Sequence, residues 1–146
     1  MKNDKGFTAV DIGLALFVII IFTVTITSIS YSVYLSNTEA KRTAVALNYC
    51  VDIFEHIGQL DYSEVNAESG ELFEIEALND FIQENVTKNN GVQIINGKIK
   101  TYNIELKIED YNEEDVIKII TLKITYPISR DNTESIEMNR LKVVNS

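Results

Sequence analysis

The sequence predicts an α+β protein in which one long N-terminal helix, apolar in its first half and amphipathic in its second, packs on an antiparallel sheet of three to four strands. Two observations carry this expectation. No charged residue stands between Asp11 and Glu39, and beyond residue 91 the apolar period changes from that of a helix to strict alternation. The 146 residues suit one domain, with 45% hydrophobic and 24% charged residues and a net charge of -9. That balance is too apolar for a disordered tail and too acidic for a direct nucleic-acid clamp. One histidine (His56), one cysteine (Cys50) and no tryptophan supply little for a nucleophile and base pair or a soft-metal site. Neither an enzyme nor a bound cofactor is predicted.

The first element is an anchor. Ile12 to Leu35, IGLALFVIIIFTVTITSISYSVYL, is 24 residues long, which as a helix spans ~36 Å against a hydrocarbon core of ~30 Å. A removable secretory signal has a shorter apolar region, and the small-x-small triplet Ser28-Ile29-Ser30 lies inside this run rather than after it. Flanking charge leaves orientation open, because Lys2 and Lys5 on one side are matched by Lys41 and Arg42 on the other. Ala9 and Gly13 form a small-x-x-x-small pair that permits close helix approach. The only proline is Pro127, so no kink is predicted within the anchor.

The residues ahead of the run, Lys5-Gly6-Phe7-Thr8-Ala9-Val10-Asp11, resemble the N terminus of type IV prepilins and pseudopilins. In that family a membrane aspartyl peptidase cuts after the glycine of a short basic leader, and the same enzyme N-methylates the new first residue, usually Phe. Gly6 and Phe7 stand at those positions. The family also carries a carboxylate, normally Glu, at the fifth residue of the mature chain; counted from Phe7 that residue is Asp11. The resemblance implies that Asp11 neutralises the new amine at Phe7 of a neighbouring copy when subunits leave the bilayer and stack. Asp is shorter than Glu by about 1.5 Å of reach, a departure that suits an occasional, minor subunit better than a major repeat. Within its own chain Asp11 lies one turn from the helix start, where the helix dipole favours an anion.

From Thr38 the helix is predicted to continue to Gly58, with Leu47, Cys50, Val51, Phe54 and Ile57 on one apolar face and His56 off it. Cys50 reads as a small buried apolar residue. Residues 59–91 are acidic and irregular, with a second helix predicted over 74–87 from Leu78, Phe81, Ile82 and Val86, and a stop at Asn89-Asn90-Gly91. Asn96-Gly97 between two apolar runs predicts a hairpin turn. Tyr102, Ile104, Leu106 and Ile108, then Ile120, Leu122, Ile124 and Tyr126, alternate with polar residues as one-sided strands. A last strand shows Ile136 and Met138, then Leu141 and Val143, a change of phase that predicts a bulge near Asn139-Arg140. The loop Asp110 to Asp115 is rich in carboxylates but lacks the glycine and terminal acid of an EF-hand. It reads as a charged hairpin tip, and no metal site is predicted.

The resemblance implies a division of the chain into a leader (1–6), a membrane and filament-core helix (7–35) and a head outside the cytoplasm (36–146). The implied partners are other pilin subunits, a prepilin peptidase, a pilus assembly platform and the cytoplasmic membrane, with a cell-surface filament as the destination and no direct nucleic-acid contact. The competing reading is an uncleaved single-pass protein with an extracytoplasmic binding head.

Overall fold

A computed structural model describes residues 8–75, 78–111, 117–128 and 132–144. Its elements run α1 (Ala9–Gln59), a short 3-10 helix (Gly70–Phe73), β1 (Ile82–Asn89), β2 (Val92–Ile99), β3 (Tyr102–Asp110), β4 (Ile117–Pro127) and β5 (Thr133–Val143). The chain separates into two compact units divided between Ala40 and Lys41. Both units share α1, one helix of 51 residues.

In the second unit the five strands pair in sequence order, each antiparallel to the next. The predicted alternation holds in β3 and β4: Tyr102, Ile104, Leu106 and Ile108, and Ile120, Leu122, Ile124 and Tyr126, are all buried. Ala46, Cys50, Ile53, Phe54 and Ile57 of α1 pack into the same core, with Ile95 and Ile99 of β2 and Leu60, Val65, Leu72 and Leu78 of the connecting segment. Of the predicted stripe, Cys50, Phe54 and Ile57 are buried, while Leu47 and Val51 stay 42% and 48% exposed and Ala46 and Ile53 are buried in addition.

Four further differences have physical causes. The sheet has five strands rather than three to four, because residues 82–89 form β1 instead of the end of a helix over 74–87. The spacing of Ile82 and Val86 fits either period, but the pair Asn90 and Gly91, with φ of 47° and 79°, makes the two-residue turn that folds β1 onto β2. The stop signal at Asn89-Asn90-Gly91 is thus a hairpin. The hairpin predicted at Asn96-Gly97 is absent, since both residues lie inside β2, paired to β1 and β3. Gly97 is there for space: a Cβ would stand 2.2 Å from the Phe81 ring and 2.9 Å from the Ile82 carbonyl oxygen. The next turn is Lys100-Thr101, with Lys100 at φ 54°.

The bulge predicted near Asn139-Arg140 is also absent; β5 pairs with β4 without interruption from Thr133 to Val143. The irregularity lies instead in β1, between Gln83 and Asn85. Unbroken register puts Arg140 and Lys142 on the helix side of the sheet, opposite Ile120 and Lys118. There they serve as caps. Lys142 Nζ donates to the carbonyls of Ile57 (3.3 Å), Gly58 (3.1 Å) and Leu60 (2.5 Å), and Arg140 donates to that of Phe54. Ile57 and Gly58 belong to the last turn, whose carbonyls a helix leaves unpaired at its negative end, and Leu60 follows it. Gly58 does not end the helix through a left-handed turn; its missing side chain leaves room for the Arg140 guanidinium, 2.8 Å from where a Cβ would stand.

Lys118 extends the pattern, donating to Tyr62 O (2.9 Å) and Val65 O (2.8 Å) while its ammonium lies 4.2 Å from the centre of the Tyr62 ring. At the opposite end of this unit Arg42 donates to the carbonyls of Pro127 (2.6 Å) and Ile128 (2.8 Å), and Thr43 shares a 3.0 Å hydrogen bond with the Tyr126 hydroxyl. The distal part of α1 is therefore fastened to the sheet at both ends by cations and in the middle by apolar packing.

Candidate functional site

The start of α1 is built by a reciprocal pair. Thr8 precedes the first helical residue, and its hydroxyl accepts from the Asp11 N–H at 3.3 Å. Asp11 Oδ2 accepts in return from the Thr8 N–H at 3.0 Å and the Thr8 hydroxyl at 2.7 Å. This is a capping box with aspartate in the place usually held by glutamate or glutamine. The spacing Thr-x-x-Asp ahead of an apolar run is its sequence signature, one that a reading focused on Asp11 alone passes over. Both bonds fall on one oxygen, so the carboxylate keeps acceptor capacity on Oδ1 for a further donor. Gly6 and Phe7, the predicted processing residues, lie outside the described residues.

Past Asp11 the helix is apolar on every side. The large side chains from Val10 to Leu35 are all exposed, and the mean hydropathy of the best 18-residue window is 2.6, with none of that window buried. A helix apolar all round needs a nonaqueous surrounding. By length and composition it can cross a membrane. The hydroxyls within it are satisfied locally: those of Thr23, Thr25, Thr27 and Ser28 donate to the carbonyls four residues earlier, at 2.8 to 2.9 Å. That internal pairing lowers the cost of carrying hydroxyl groups through hydrocarbon. Gly13 has open space around it, consistent with a surface available to a neighbouring helix.

The remaining residues singled out by the sequence do not gather around this site. Cys50 is fully buried in the head core, and burial pushes its thiol up to about 11. His56 sits in the last turn of α1. Of the acidic loop Asp110 to Asp115, residues 112–115 lie outside the described residues. Among the described residues no group of three or more His, Cys, Asp or Glu is placed to hold a metal ion.

What the described residues offer is one carboxylate at the start of an apolar helix, a long uncharged surface along it, and a separately packed unit from Lys41 onward. No family model matches the chain, and no curated protein or solved structure matches it either.

Proposed function

We propose that this chain is a prepilin-like subunit, a minor pilin or pseudopilin, cut after Gly6 by a prepilin peptidase and methylated at Phe7. Its first helix then carries it from the membrane into a type IV pilus, a secretion pseudopilus or a competence pilus. The observation behind this reading is the order Gly6, Phe7, Asp11, followed by an uncharged run that ends only at Glu39. A carboxylate facing hydrocarbon is costly unless it is compensated, and a processed Phe7 on an adjoining copy supplies a cation of the right sign. The unused oxygen of Asp11 supports this role. So does a helix that begins beside Asp11 and runs unbroken into the head, where Arg42, Arg140 and Lys142 tie it to the sheet.

On this reading the function is assembly rather than turnover. The partners are other pilin subunits, the prepilin peptidase and the assembly platform. The acidic head makes no direct nucleic-acid contact. Before assembly the chain resides in the cytoplasmic membrane with its head outside the cytoplasm.

One observation favours the competing reading of an uncleaved, single-pass protein with a binding head. The Thr8–Asp11 box stabilises the carboxylate within one chain and needs no neighbour. Mass analysis of the N terminus, on protein purified from cells that possess a prepilin peptidase, separates the two. A mature chain beginning at methylated Phe7 supports the subunit, and an intact Met1 to Gly6 segment supports the uncleaved protein.

A further inference from the structure

The cations of the second unit are used differently at its two ends. At the end where α1 leaves the head core, the cations Lys118, Arg140 and Lys142 are turned inward onto main-chain carbonyls, and Lys88 is paired with Glu68. Exposed carboxylates there include Glu55, Asp61 and Asp110, beside the exposed Arg140 and the Lys107–Glu109 ion pair at 2.6 Å. The end where Lys41 opens the unit is different. Arg42 fixes that end to Pro127, and the pair Ile99 and Tyr102 closes the Lys100-Thr101 turn beside it, with the Tyr102 hydroxyl 3.5 Å from Arg42 O. Lys41, Lys98 and Lys100 are all exposed there. Acids at this end include Asp80, 3.6 Å from Lys100 Nζ in a solvent-exposed pair, Glu134, whose Oε2 accepts from the Tyr126 hydroxyl at 3.4 Å, and Glu39 two residues ahead of Lys41.

We infer that Lys41, Lys98 and Lys100 form a basic rim that rests on the anionic headgroups of the membrane crossed by the apolar span. The inference depends on the membrane reading of that span. Five residues separate Leu35 from Lys41, about 9 Å of rise as helix, so the first lysine of the rim follows closely on the span. Phosphates of anionic lipids attract lysines within a Debye length of ~8 to 10 Å. The 11-residue strands β4 and β5, ~36 Å long, put the far end several Debye lengths beyond that field. The rim alone therefore holds its end of the head against the surface. Lys100 projects from a turn whose φ of 54° favours Asn or Gly over lysine, as fits a side chain retained for its charge.

The test uses the full chain reconstituted in vesicles of phosphatidylcholine alone or mixed with phosphatidylglycerol, with flotation to score insertion and hydrogen exchange to read residues 98–102. Exchange in this turn is expected to be about fivefold slower in the anionic vesicles. The slowing disappears in K98Q/K100Q and at high salt and persists in K98R/K100R, while the core of β3 reports an unchanged fold throughout. Equal exchange in the two vesicle types, or slowing retained by K98Q/K100Q, overturns the rim while leaving the anchor in place. A chain that floats with neither vesicle type overturns the anchor and the rim together.

Discussion

Lys142 reaches from β5 to within 2.5 Å of the carbonyl oxygen of Leu60, just past the last turn of α1, and shares the same ammonium with Ile57 and Gly58. An edge strand thus caps the negative end of the helix that it packs against. Replacing Lys142 with Met keeps the stem and removes the charge, leaving three carbonyls short of a donor. The loss is expected to be about 1 to 3 kcal/mol, read as a lower urea midpoint with an unchanged slope. Gly58→Ala acts on the same cap by displacing the Arg140 guanidinium, and its effect is expected to be less than additive with Lys142→Met.

Gly97→Ala tests why a glycine stands inside a strand. Its Cβ would overlap the Phe81 ring and press on the Ile82 carbonyl, so a destabilisation of about 1 to 3 kcal/mol is expected. Thermal unfolding of G97A against G97A/F81A separates the two contacts. Relief by the second change assigns the cost to the ring, and no relief assigns it to the backbone.

At Lys100 the expected sign is reversed. A left-handed backbone suits Asn better than Lys, and Lys100→Asn is expected to raise stability by up to about 1 kcal/mol. Denaturation of the variant in detergent checks this.

Burial raises the Cys50 thiol from 9.0 to about 11. Between those values an unfolded chain has lost the thiol proton while the folded one keeps it, so stability falls as pH rises from about 9 to about 11. Below pH 9 this group contributes no pH dependence. Cys50→Ala should remove that part of the alkaline decline. In the wild-type chain, alkylation at pH 8 should be slow until urea is added.

Much of the head was legible in single residues. Tyr102 to Ile108 and Ile120 to Tyr126 alternate without exception because each strand has one face on the helix and one in solvent. β1 was not legible, since Ile82 and Val86 satisfy both periods and the deciding feature is a turn at Asn90-Gly91 whose positive φ values cannot be told from a helix stop. The last strand misled for another reason: Arg140 and Lys142 occupy inward positions, so the visible apolar phase jumps while the register does not. Their reason for being there is the set of carbonyls at the end of α1, more than 80 residues away in sequence. At the candidate site Asp11 was conspicuous as the last charge before the uncharged run. Its partner Thr8 was not, because the box is a relation between residues three apart.

The measurement that bears most directly on the proposed assembly role is the incorporation of Asp11 variants into sheared surface filaments, with processing after Gly6 confirmed for each. Asp11→Glu, which keeps the charge and lengthens the arm, is predicted to incorporate at least as well as the wild-type chain, and Asp11→Asn, which keeps the Thr8 bonds but loses the charge, is predicted to remain in the membrane. Processed Asp11→Asn appearing in filaments at the wild-type level would contradict the account.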